Sequence, residues 1–535
     1  MSATNPEKKT YDGPGRPETI VRRGTSESIS TRNQLHRRLG NRQIQLIAIG
    51  GSIGTGLFIN IGSGLAKGGP GSLLIGFIVY CFFIGLVNNC MAEMAVLMPV
   101  EGGFIRMAGK WVDDALGFMV GWNFFLYEAI LIPFEITALN VVLGYWRDDI
   151  HPAIIVTAVI ILYCLLNVFA VSLYGEAEFW LSSFKVILVF ILFAFTFLTM
   201  VGANPRRDPY GFRYWKNPGS FAEWHSENHL GRFEGFLNTL WVASFMVVGP
   251  EYLSMASAEA KLPRTYMKAA FKTAYWRFGL FFIGGALCTG IVVPFNDPTL
   301  QKTVSGGGDG AGTAAASPYV IAMKNMGIDI LPDIVNALIF TSILSAGNTY
   351  AFCAIRSLHG MALEGRAPRF LARTTKNGVP VYCYLVTMLF PLLAYLQSGN
   401  GTITVLQWFI NLVTAGCVIN YVVICITYIA FYRACQAQSV DRKTFPYVGY
   451  SSFTPWNVGT FFSYYAMVFV AIITYSGWKL IKRTKIIPVS EVDLVWEKPV
   501  IDAYEEQFEE QPIGFWTEML QLVTWWKRSD TNGNV

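Results

Sequence analysis

The chain has 535 residues, of which 53% are hydrophobic and only 14% charged, against about 25% charged in an average soluble domain. That balance excludes a soluble domain and places the chain in a bilayer. The formal net charge of +5 is ordinary for a membrane protein with basic inner loops and implies no nucleic acid partner.

Residues 1–43 are polar and rich in Pro, Gly and Ser, with no apolar core that could serve as a cleaved signal. They read as a disordered cytosolic tail, and the first span is then its own targeting signal. Apolar stretches long enough to cross a membrane follow at 44–66, 71–98, 116–145, 152–172, 180–202, 235–257, 273–294, 332–355, 381–397, 403–431 and 456–480. The expected fold class is an all-α polytopic membrane protein.

The first span is spoiled by its own sequence, since "AIGGSIGTGLFINIGSG" at 48–64 holds six glycines in seventeen residues. A glycine in a helix interior costs about 1 kcal/mol relative to alanine, and freed backbone groups at membrane depth cost several kcal/mol unless something satisfies them. The sixth span repeats the fault, with Gly249-Pro250 interrupting "GFLNTLWVASFMVVGPEYLSMAS" and Glu251 directly after. Glycines can simply permit close helix packing, and proline kinks are tolerated in membranes. A matched pair of broken segments in two five-helix halves points instead to an inverted-repeat transporter with its site between the breaks. At an unwound Gly51–Gly56, amides and the positive end of a helix dipole suit a carboxylate, while carbonyl ends near Ile49 and Val248 suit an ammonium. One small molecule carrying both groups is an amino acid.

With the N-terminus cytosolic, the inner loops carry "RMAGK", "KLPRTYMK", "RAPRFLARTTK" and "DRK", as the positive-inside bias requires. The loop "NPRRDPYGFRYWK" after span 5 dissents, unless its arginines pair with lipid or with protein acids. The nine cysteines avoid the predicted outer loops, so no structural disulfide is expected.

The segments "LIAIGGSIGTGLFINIGSGLAKGGPGSLLIGF", "MAEMAVLMPVEGGF", "GPEYLSMASAEAKLPR" and "RSLHGMALEGRAPRFLARTTKNGVPVYC" resemble the fungal amino acid permeases of the amino acid–polyamine–organocation superfamily, most of all the general or broad-range type. The resemblance runs from residue 36 to about 500. It implies a five-plus-five inverted-repeat core, two further helices, and proton-coupled uptake across the plasma membrane. It also implies substrate-binding roles for Ser52, Ile53, Gly54, Thr55 and Gly56 in helix 1, and for Val248, Gly249 and Glu251 in helix 6. Pro250 stands where many relatives have threonine.

Ionisable groups inside the membrane are expensive and are functional candidates by default. Glu251 at the break could contact an ammonium or carry a proton, or cap freed amides. Lys185 is the lone cation of "LSSFKVILVF" and resembles the helix 5 lysine at a cation position in proton-driven relatives; an interhelical salt bridge is its rival role. Glu128 and Glu135 lie two turns apart on one face of span 3, one of them able to line the pocket and the other to partner Lys185. Glu93 and Glu101 lie near the inner surface, as gate or topology residues. Phe245, Trp241 and Trp408 could shape a side-chain pocket, although aromatics at helical spacing are more often packing. Phe245, one turn before the break, is the one retained.

An enzyme reading finds little support: the five histidines make no helical metal pair, and no nucleotide-binding loop or cofactor motif is present. A sensor that binds amino acids without moving them is the rival function. The expected organisation is a tail at 1–43, a ten-helix core at 44–431, a cytosolic linker at 432–455, a last span at 456–480, and a tail at 481–535 whose Phe515, Met519, Leu522 and Trp526 follow the spacing of an interfacial helix. The family pattern has twelve spans, and helix 11 is apparently missing: the 38 residues from Ser451 to Pro488 hold only one. A missing exon, an eleven-helix protein with an external tail, and a re-entrant last segment are the open readings, and a tail built for cytosolic regulation and trafficking favours the first.

Overall fold

The computed structural model describes residues 40–41, 44–45, 53–147, 149–169, 171–305, 317–375, 379–442, 445–447, 479, 487–488 and 492–493. All of them fall in one compact unit, Leu35–Val535. Among the described residues the fold is helical and holds no β-strand. Seven helices among the described residues are long and apolar enough to cross a membrane: α1 (Gly56–Leu97), α3 (Asp114–Leu143), the Trp180–Met200 part of α5 (Val171–Met200), α8 (Pro263–Val292), α9 (Leu331–Leu363), α10 (Val381–Gly399) and most of α11 (Thr402–Ala437). Between them lie α2 (Gly103–Trp111), α4 (Pro152–Phe169), α6 (Asn228–Met246) and α7 (Pro250–Ala256).

The difference from the eleven expected spans has local causes. Spans 1 and 2 run on as α1 because the bend between them is confined to Gly69, at φ 77° and ψ 170°, with Pro70 after it. Residues of the 217–226 segment close over that bend, with Gly71 N–H donating to Ser220 O at 2.7 Å and Ala222 N–H to Gly68 O at 3.0 Å. Span 6 is two helices, α6 and α7. The span at 456–480 lies outside the described residues except for Lys479.

Helix α3 is the hub, packed against α9 and α11, while α1 packs against α6 and α8. The glycines of α1 make this second contact possible: a Cβ at Gly68 would stand 2.4 Å from Thr239 Cγ2, and one at Gly76 would stand 2.6 Å from Thr239 Oγ1. Large apolar side chains on the outer faces, among them Phe82, Phe197, Trp276 and Leu389, are exposed as a bilayer-facing surface requires.

One face of the bundle carries α2, the ends of α9 and α11, and most of the predicted inner loops. Glu93 there accepts two hydrogen bonds from Arg442 and one from Tyr428. Tail residues dock on the same face: Ile487 N–H donates to Val112 O at 2.8 Å, Trp111 Nε1 to Asp493 O at 3.0 Å, and Gln438 Nε2 to Val492 O at 2.8 Å. Lys479 pairs with Asp113 beside them. These tail residues lie on the face where α11 ends. On the dissenting loop, Arg213 makes a two-armed pair with Asp208 at 2.6 and 2.7 Å. All nine cysteines are free thiols.

Candidate functional site

Ile53 and Gly54 are non-helical, and helical geometry begins at Thr55, followed by a wide turn over Gly56–Asn60. Ser52, Gly51 and Ile49 lie outside the described residues. The second break runs through Val247, Val248 and Gly249, where Gly249 takes φ 153° and ψ −40°. Pro250 is not what breaks the chain. It opens α7 at the first helical position, where its missing N–H would have had no partner in any case. The left-handed turn at Gly249 separates the two half-helices.

The breaks meet. A Cβ on Gly56 would stand 2.9 Å from Met246 Cγ, at the end of α6. One on Gly54 would stand 3.0 Å from both Ala346 Cβ and Glu135 Oε1, and 3.6 Å from the Tyr350 hydroxyl. Thr55 donates its hydroxyl to Glu135 Oε2. The carboxylate of Glu135, fully buried on α3, thus lies against the helix 1 break, where the sequence reading puts a carboxylate of the cargo. Lys185 is also fully buried and stands within electrostatic reach of Glu135. Phe134, beside Glu135, meets Phe245 of α6 edge to face at 5.2 Å between ring centres.

Glu251 belongs to the second break. Its Oε1 accepts from the Tyr421 hydroxyl at 3.0 Å and its Oε2 from the Gly249 N–H at 3.3 Å. Glu128 is fully buried near Tyr252, and neither of its oxygens makes a hydrogen bond of normal geometry among the described residues. Tyr127 and Tyr252 bring their hydroxyls to 3.3 Å beside it. Glu93 and Glu101 are placed on the loop-bearing face, Glu101 against His359 at 3.1 Å. Trp408 is half exposed on the outside of α11.

Sequence reasoning missed the tyrosines and Arg277. The tyrosines carry no signal in a chain with 25 of them. Arg277 does: it is a cation inside the apolar run "YWRFGLFFIGG" of span 7, which is where intramembrane charge marks function.

The sequence profile of the amino acid permease family matches residues 43–451. The chain belongs to that family. It is 44% identical over 483 residues to the general amino acid permease AGP2 of Saccharomyces cerevisiae, covering 84% of this chain and 80% of that one. It is 34% identical to the dicarboxylic amino acid permease of the same yeast, covering 89% and 82%. The proline-specific permease of Emericella nidulans is also 34% identical, over 96% of each chain. The protein is accordingly a multi-pass membrane transporter of the amino acid permease family.

Proposed function

We propose that this permease takes up amino acids together with protons, by alternating access at the plasma membrane, with its N-terminus in the cytosol. The observation that carries the reading is the Glu135 carboxylate held by Thr55 against Gly54. While ionised it puts a like charge in the path of an amino acid's carboxylate. Protonation removes that charge and turns an acceptor into a donor, so cargo and proton bind together or not at all. Lys185 is the cation that answers Glu135 when the proton leaves, and Glu251 is the second proton candidate, at the other break. The membrane and inner-loop charges support the sidedness. The relatives' names differ in substrate, general, dicarboxylic and proline-specific, so the common element is the amino acid backbone.

Uptake of labelled amino acid by cells without their own permeases tests this. Flux should rise with external acidity and collapse with an uncoupler. A sodium requirement without effect of the uncoupler would overturn the coupling, and amino acid binding without flux would mark a sensor.

A further inference from the structure

Arg277 is 6% exposed, and among the described residues none of its three guanidinium nitrogens has a hydrogen-bond partner. Leaving a buried guanidinium so is costly, because desolvation is repaid only when its donors are met. The neighbouring acid does not meet them. Glu251 is the charge nearest in effect, yet its two oxygens accept from Tyr421 and the Gly249 amide and, among the described residues, from no nitrogen of Arg277.

The guanidinium lies at the second break. A Cβ built on Gly249 would stand 3.9 Å from Arg277 Nη2 and 4.0 Å from its Nη1. Gly249 lies in the second break, so these unmet donors stand at the bend of the helix 6 backbone. The geometry points to Arg277 as the residue that holds a carboxylate of the transported amino acid, beside Gly249. A planar fork of donors matches a carboxylate with two parallel hydrogen bonds. Glu251 balances the cation over longer range, so the empty site is not a naked charge, and the cargo supplies the acceptors that Glu251 withholds.

This rests on amino acid transport, and the test separates the two. Full-length wild type, Arg277→Gln and Arg277→Lys are compared in permease-deficient cells, with surface amounts measured, for uptake of a neutral and an acidic amino acid. Arg277→Gln should raise KM about 10- to 100-fold, the range for losing a hydrogen bond to a charged group. A loss for both substrates identifies the α-carboxylate, and a loss for the acidic one alone identifies a side-chain carboxylate. Arg277→Lys keeps the charge without the fork and should raise KM less, which also serves if the glutamine variant fails to reach the membrane. Wild-type KM for both substrates in either surface-expressed variant overturns the assignment. No uptake or binding by the wild type overturns the transport reading instead.

Discussion

Two regions of this molecule bury acids next to cations, and they treat them differently. On the loop-bearing face the pairs are made: Glu93 with Arg442 at 2.7 Å, Glu259 with Arg356 at 3.0 Å, Asp114 with Arg366 at 2.8 Å, and Glu364 with both Arg106 and Arg366. At the breaks, neither the oxygens of Glu128 nor the guanidinium nitrogens of Arg277 have a hydrogen-bond partner of normal geometry among the described residues, and Glu135 is held by a threonine beside Gly54. Satisfied networks rigidify, whereas an unsatisfied buried group is retained only where something else meets its need. The first region holds helix ends together, and the second has capacity left for cargo.

The comparison predicts that substitutions at the breaks abolish transport and spare the fold, while those on the face do the reverse. The largest effect is expected from Gly54→Val, whose side chain would collide with Ala346 and Glu135, both at 3.0 Å from its Cβ alone. Uptake should vanish with the protein still at the surface, and normal uptake would remove this break from the site. Glu135→Gln should come next, ending acid stimulation and concentrative uptake while substrate exchange across the membrane persists. An unchanged pH profile in that variant would take coupling away from Glu135.

Glu93→Gln should act on stability. It leaves the Arg442 guanidinium without its carboxylate at a partly buried site, a loss of about 3 kcal/mol. Thermal denaturation of the purified protein should shift downward with KM unaltered, and an altered KM at unchanged stability would blur the division between the regions. The smallest effect belongs to Asp149→Asn. Arg147's hydrogen bonds hold that carboxyl down to about 2, but both side chains are exposed. A lowered pKa contributes above the ordinary carboxylate range and is lost only as pH falls toward the depressed value. Any contribution is thus fully present from about pH 5 to about pH 7, but because solvent screens the exposed pair the melting of variant and wild type should still coincide there, and a difference would show that the pair carries weight the solvent should have screened.

Much of this was legible in the chain. Apolar length gives the spans, because a bilayer demands continuous hydrophobic helix, and Gly54, Gly56 and Gly249 announce the breaks because a helix in lipid cannot lose backbone hydrogen bonds without compensation. Even the run "YWRFGLFF" held its clue, an arginine where none is cheap. Pairing was not legible. That Glu135 rather than Glu128 reaches Thr55, that Tyr421 serves Glu251, that Arg277 lies beside Gly249, and that Ile487 lies beside Val112 all depend on segments distant in sequence. Periodicity reports which face of a helix a residue occupies, since that is local geometry. Which face of which other helix it meets is decided by packing among all of them, and only the tertiary structure contains that.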